Sequence, residues 1–451
     1  MADNRLNGNG MKPQSSTAIV AGREIILQTD DLTERQRASL EARLPLLRRI
    51  TGDADDYLAR NDADRSVFGS HWGGPYFSNI ARRICEPDWT FLERLRLVYE
   101  FSGLPIVTFR RQETAPVVDP VLNRYMKLRA ITPANLRFSA PPMCGEAGWK
   151  IDRGIVNWDV AIVQERLQFL HFSGVLDWLN SRPHRPTIME IGTGCGLFAL
   201  ALGRVIPEAT YILCDVPDVL LNAAAYLAMA RPAARYHVVL PDGIHSITAE
   251  GEHTILSSLD EVHGGYVFMP NYMMHRYGPS ITLDMGLNAM SMHEMAVEQI
   301  AYYAGLLSRA TGAREGLYFD INTYYKGTNE ILEFHFNRAF AVSARPDLID
   351  LALSPKIWTN SRRTMTAVED RMRHYRSLYD LDAAFSIDFP FEYPPFDENI
   401  ALGLLNEEIG SILNVDYQKV AKERGKVSFN DDLKVFFGEH LAIYRARFGV
   451  R

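Results

Sequence analysis

At 451 residues, 47% of them hydrophobic and 23% charged, the chain has the composition of a soluble globular protein of two or three packed units. A formal net charge of −7 and a pI near 6.0 leave no basic footprint, which argues against nucleic acid or an anionic membrane as partner. No apolar run reaches the ~18–20 residues of a membrane span. The four scattered cysteines (Cys85, Cys144, Cys195, Cys214) form no CxxC pair and fit reduced thiols in a cytoplasmic protein.

Residues 1–17 are polar, with no apolar signal-peptide core, and read as a disordered lead. Residues 18–140 read as a mostly helical region, carried by "DDLTERQRASLEARLPLLRRI" and "WTFLERLRLVYEF", where apolar residues recur three and four apart. The Pro-rich interval Ile131–Lys150 marks a boundary or a loop over a site. Trp158–Ser181 is an amphipathic helix that "RPHRP" stops. Strand patterns "TIMEI", "TYILCD", "GYVFMP", "ITLDMGL" and "GLYFDINT" then alternate with helix patterns "LFALALGRVI", "PDVLLNAAAYLAMA" and "HEMAVEQIAYYAGLLSR", the signature of βαβ units and a parallel sheet. This α/β domain is expected over 141–345, with a helical extension over 346–451.

The stretch "IMEIGTGCGLFAL" joins a buried strand to a helix through alternating glycines. Such a strand–turn–helix binds nucleotides at the carboxyl edge of α/β sheets, because glycine lets a ligand approach the backbone and the helix start offers unpaired N–H groups. The dinucleotide fingerprint G-x-G-x-x-G does not fit: Leu197 stands where its third glycine belongs, and Glu190 precedes the first glycine by two. Both departures point to S-adenosyl-L-methionine, a cofactor without phosphate, and E-x-G-x-G-x-G resembles the first motif of the Rossmann-like methyltransferases. A helix-packing loop with accidental glycines is the plainer reading. The candidate cofactor residues are Glu190, Gly192, Thr193, Gly194, Cys195 and Gly196. Asp215 and Val216 join them, since Asp215 ends the next strand, 23 residues past Gly192, where an acid recognises a ribose diol. A simple helix N-cap before Pro217 is the alternative for Asp215.

"CDVPDVLLNAAAYL", "FMP", "LNAMSMHEM" and "YFDINTYY", in this order, are similar to a family of sugar O-methyltransferases over roughly residues 145–330. The resemblance implies a class I, Rossmann-like methyltransferase sheet with helical N-terminal and C-terminal extensions. It also implies methyl transfer to a hydroxyl of a sugar or natural-product small molecule. The region ahead of residue 145 carries no such likeness.

A hydroxyl nucleophile gains from a base. His293, Glu294 and Asn288 lie in the segment after the fourth expected strand, beside the expected methyl. Ser291 and Glu294 read as a capping box, which would put His293 in the first helical turn as a neutral ring. The alternative is an exposed helical histidine. His275, in "NYMMHRYGP", is the second candidate base. Phe268–Asn271, with Met269 and Asn271, competes with Leu240–Gly243 to line the adenine, because "YHVVL" is also a good strand. Trp149, Trp158 and "SHWGGPYF" offer aromatic faces to a sugar, although buried aromatics mostly serve the core. No residue cluster has metal-ligand spacing, and a homodimer is compatible with the chain. Both extensions are expected to cover the carboxyl edge of the sheet. The rival readings are an NAD(P)-dependent oxidoreductase and a non-catalytic binding protein that keeps a methyltransferase fold.

Overall fold

The computed structural model describes residues 25–26, 29, 31–60, 75–86, 88–98, 120–248, 251–292, 295–323, 328–341, 345–346 and 352–378. The lead over 1–17, residues 70–74 of "SHWGGPYF" and the Pro/aromatic break at 385–396 lie outside them.

A small antiparallel sheet joins β1 (Ile25–Ile26), β2 (Gly148–Ile151) and β3 (Gly154–Val156). The main sheet takes in β4 (Thr187–Ile191), β5 (Thr210–Asp215), β6 (Tyr236–Leu240), β7 (Gly243–Ile247), β8 (His253–Leu256), β9 (Gly265–Pro270), β10 (Met285–Ala289), β11 (Leu317–Thr323), β12 (Asn337–Ala341), β13 (Arg345–Pro346) and β14 (Ala352–Thr359). Its spatial order is β12-β14-β11-β10-β4-β5-β9-β6-β7-β8, with β13 on β14. From β11 across to β6 the pairing is parallel, and β14 runs antiparallel to both β11 and β12. The sheet is Rossmann-like. Successive strands leave β4 in one direction and then, from β10, in the other, so a crevice opens at the carboxyl ends of β4 and β10.

The central strands are apolar on both sides because helices cover both faces. One core gathers Trp158–Phe172, Leu197–Val205 and Pro217–Ala230 against residues such as Leu213 and Phe268. The other sets Met274–Tyr277 and Val297–Gly312 against Met189, Ile212 and Met269. Trp149 and Trp158 are buried in the first core, the commoner of the two roles open to them.

Both candidates for the third strand are strands. β9 pairs with β5 along one edge and with β6 along the other, so the later segment is inserted between the two earlier ones. The helix expected over Trp158–Ser181 is two, Trp158–Phe172 and Val175–Asn180, broken at Gly174. That glycine has φ +77°, and a side chain there would meet Arg371 Cγ at 2.6 Å. The sheet also extends past residue 345: Ala352–Thr359 is β14, and the helix Arg362–Leu378 follows it.

The N-terminal helices lie on the sheet domain. Glu34–Leu47 is capped by Thr33, whose hydroxyl accepts from Gln36 N at 3.3 Å while Gln36 Oε1 accepts from Thr33 N at 2.9 Å. Ser39 donates to Ala228 O at 2.6 Å, and buried Arg43 lies 4.5 Å over the Tyr236 ring. Arg49 pairs with Asp242 beyond β6 (3.0 Å), Tyr272 beyond β9 donates to Ile50 O (3.4 Å), and Ser78 donates to Asp218 beyond β5 (2.7 Å). Asp242, Tyr272 and Asp218 follow strand ends, so the segments of Arg49, Ile50 and Ser78 reach the carboxyl edge, whereas Glu34–Leu47 lies along the helix Pro217–Ala230. The C-terminal helix Arg362–Leu378 sits elsewhere, with Arg371 on Asp177 (2.8 Å) and Tyr375 against His171 and Phe172. Among the described residues the contacts at that edge come from the N-terminal side; residues 379–451 of the C-terminal extension lie outside them.

Candidate functional site

The glycine loop closes the carboxyl end of β4. Gly192, Gly194 and Gly196 all have positive φ (+75°, +54°, +77°), conformations that other residues adopt only with strain. The turn is fastened to β5. Gly192 N donates to Cys214 O at 2.8 Å and Gly194 N to Asp215 Oδ2 at 2.9 Å, while Val216 N donates to Asp215 Oδ1 at 2.8 Å. Asp215 thus binds the loop first. With a carboxylate's roughly four lone-pair sites, one remains beyond the backbone donors Gly194, Val216 and Thr193 for a ligand hydroxyl. Burial pushes its carboxyl up to about 7 against the pull of these backbone donors.

Glu190 is buried in β4, and Thr193 donates to its Oε2 at 3.3 Å. Burial raises its carboxyl to about 8, opposed by the nearby charge of Arg166 and by the Thr193 bond. Arg166 comes from the helix Trp158–Phe172, and its guanidinium lies 5.5 Å over the ring of Phe198, the second residue of the helix that leaves the glycine loop. Its Nε is buried with no hydrogen-bond partner. The loop therefore has a cationic side at Arg166 and a latent anionic side at Glu190. Arg166 was missed in the sequence; its one signal is a seven-residue spacing from Asp159, two turns along one helix face.

Behind Cys195 lies a buried ionic cluster. Arg96 gives Nε to Glu146 and Nη2 to Asp159, both at 2.8 Å, and Asn157 donates to Glu146 as well. It ties residues 95–98 of the N-terminal region to the loop before β2 and to the helix of Arg166, and removing one partner from such a set is costly. Burial pushes the Cys195 thiol up to about 11, so it is no thiolate nucleophile at neutral pH.

Across the crevice, Asn288, the next-to-last residue of β10, is fully buried. Its amide donates to Ile191 O at 2.6 Å and to Ser291 Oγ; its carbonyl accepts from Met292 N (3.1 Å) and Asn322 Nδ2 (2.8 Å). Behind it, Tyr318 and Asn322 donate to Asp320, which lies 3.8 Å from Lys356 Nζ, both groups fully buried. Asn288 thus clamps the segment Ala289–Met292 onto the glycine loop. Met290 takes a left-handed conformation there (φ +71°), with its N–H on Ile321 O at 2.7 Å.

The helix after this segment is Val297–Gly312, and Gln299 Oε1 accepts from Ala296 N at 2.9 Å. The α-helix thus begins at Val297 rather than directly after Ser291; the Ser291 hydroxyl donates to Ile191 O (3.2 Å) and accepts from the Asn288 amide. His293 and Glu294 lie outside the described residues. His275 is exposed on the short helix Met274–Tyr277, its ring 5.1 Å from that of Tyr302. Met269, in β9, is buried within the second core, and Asn271 is buried just past that strand. Asp242, in the turn between β6 and β7, is also at this edge, held by Arg49 and by His245 (2.9 Å).

Among the described residues no group of His, Cys, Asp and Glu is arranged to hold a metal ion, and no helix is long and apolar enough to cross a membrane. No protein-family model matches the chain, and no curated protein matches it. Its fold has likenesses among solved structures. A magnesium protoporphyrin IX methyltransferase from Synechocystis PCC 6803 with bound S-adenosylmethionine is 11% identical, over 46% of this chain and 86% of that one, with a TM-score of 0.28. An O-methyltransferase family protein from Burkholderia thailandensis is 9% identical, over 45% and 59%, at 0.28. A methyltransferase dependent on the same cofactor from Agrobacterium tumefaciens is 9% identical, over 48% and 67%, at 0.29.

Proposed function

We propose that the chain is an S-adenosylmethionine-dependent O-methyltransferase acting on a hydroxyl of a sugar or natural-product small molecule. The observation that carries the reading is buried Glu190, its carboxyl within the influence of the Arg166 charge, beside three positive-φ glycines. A zwitterion suits that arrangement: Arg166 takes a carboxylate through its unpartnered Nε, Glu190 faces an ammonium, and the glycine backbone allows close contact. The residues present therefore fit the amino-acid end of the cofactor, and Asp215 retains a lone-pair site for a ribose hydroxyl. A dinucleotide pyrophosphate would instead meet the acid Glu190, which disfavours the oxidoreductase reading.

Bound there, the cofactor supplies an electrophilic methyl group on a sulfonium. The protein's part is alignment and proton removal. The Asn288 clamp fixes the wall of the crevice opposite Asp215. His293, two residues beyond Ser291, is the proposed base that takes the acceptor's hydroxyl proton, with Glu294 beside it and His275 as the alternative. The N-terminal helices over the carboxyl edge supply the acceptor's cover.

Calorimetric titration with S-adenosylmethionine, S-adenosylhomocysteine and NAD tests the first half. Saturable binding of the first two and none of NAD supports the reading; the reverse overturns it. Mass spectrometry of products from labelled cofactor with a panel of glycosides and phenols tests the second half.

A further inference from the structure

At the end of the sheet opposite the glycine loop, β4 and β5 begin at Thr187 and Thr210 over a cleft of about 470 Å³. That volume lies within the range of small-molecule pockets. Arg185, Arg235 and Arg314 line it with His184 and His263, and Asp260 is the one acid of the lining. Its floor is apolar, with Ile212, Val262 and Ile281.

The charges do not cancel. Fully buried Asp284 takes Arg182 Nε at 2.8 Å, Arg314 Nη1 at 3.1 Å and Thr187 N at 2.9 Å, and it lies 2.9 Å from His184 Nε2. One carboxylate thus answers two guanidinia. Among the described residues the one carboxylate within ion-pair distance of Arg185 is the exposed Glu208, at 3.5 Å. Among the described residues no carboxylate stands within ion-pair distance of Arg235, whose carbonyl is fixed by Tyr266 N at 3.0 Å. Gly264 (φ +76°) lets Arg185 come close, since a side chain there would stand 3.3 Å from its Nη1.

We propose that this cleft binds a phosphate-bearing small molecule, its phosphoryl group among Arg185, Arg235 and Arg314 and its apolar part over Ile212, Val262 and Ile281. Forked guanidinium donors match a doubly charged, three-oxygen group better than a single carboxylate. The site is separate from the methyl-transfer crevice, with the length of β4 between them, and it does not depend on the function proposed for that crevice.

The test is calorimetric titration of the full chain with inorganic pyrophosphate, with citrate as the carboxylate control. Saturable 1:1 binding of pyrophosphate is expected, with Arg235→Gln weakening it at least tenfold and Arg185→Gln/Arg235→Gln abolishing it. Both side chains are exposed, so the melting temperature and the affinity for S-adenosylmethionine should be unchanged. Absence of saturable binding, binding of citrate but not pyrophosphate, or equal affinity in the double variant overturns the proposal.

Discussion

Ser291 occupies the space that a side chain at Gly192 would need: a Cβ built on Gly192 falls 2.0 Å from Ser291 Oγ and 2.3 Å from Ser291 Cβ. The glycine loop after β4 and the segment after β10 are thus complementary surfaces, and the absent side chain is part of the fit. Gly192→Ala should destabilise the protein by more than ~2 kcal/mol, combining overpacking with left-handed strain. Gly192→Ala/Ser291→Gly should recover only the steric part. Thermal melts of the two variants check this; equal melting temperatures would refute it.

Glu190 gives a pH signature. Its carboxyl titrates near 8 in the folded protein and near 4.5 when unfolded, so between those values the folded form holds a proton that the unfolded form has lost. Stability of the free protein should accordingly fall as pH rises from about 5 to 8. Glu190→Gln should lessen that slope, leaving the part that Asp215 contributes below about pH 7, melt higher than the parent at pH 8, and lose cofactor affinity. Cofactor binding to the parent should strengthen over the same range, since an ammonium partner needs the ionised form. Melting curves and titrations at pH 6 and 8 separate these outcomes.

Asp215 is expected to act twice, on the loop and on the ligand. Asp215→Ala removes acceptors for Gly194 N and Val216 N, each charge-assisted bond worth roughly 1.5–3 kcal/mol. Amide exchange at Gly194 should accelerate in the free protein, and cofactor affinity should fall at least tenfold. Unchanged exchange would show that the loop holds its shape without this carboxylate.

Met290 stores strain at φ +71°. Met290→Val should cost more than ~1 kcal/mol, because a β-branched residue is a poor occupant of the left-handed region, whereas Met290→Gly should be nearly neutral. Chemical denaturation with matched m-values is the measurement.

His293→Ala and His293→Gln should each lower turnover by about 10²–10⁴-fold with cofactor affinity retained, the ordinary loss for a general base. Near-parental turnover in both moves the role to His275.

Local chemistry made much of this architecture legible. Pro217–Ala230 and Gly265–Pro270 have the bounds their patterns give, because proline starts the one and apolar runs define the other. Spatial order was not legible: "YHVVL" and "GYVFMP" are equally good strands, and nothing in either says that the second is the neighbour of β5. The glycine loop announced itself through composition. Arg166 did not, since one arginine on an amphipathic helix looks like solvated charge until the tertiary fold carries it under Phe198. The bond from Ser291 to Ile191 O was not legible either, because the S-x-x-E pattern speaks of local partners and this one lies a hundred residues away.

The insertion of β9 has a consequence for how the chain assembles. In synthesis order β5 and β6 emerge first, yet between them lies only β9, which arrives later and must find an unoccupied edge on each side. Until then β6, β7 and β8 can form only their own antiparallel meander, and the edge of β5 presents unpaired backbone groups. The sheet is therefore sealed from within by a non-local step, of the kind that folds slowly and leaves sticky edges exposed. A chain ending before Gly265 should accumulate as an aggregation-prone intermediate, while one extended through Pro270 has what it needs to join the two halves.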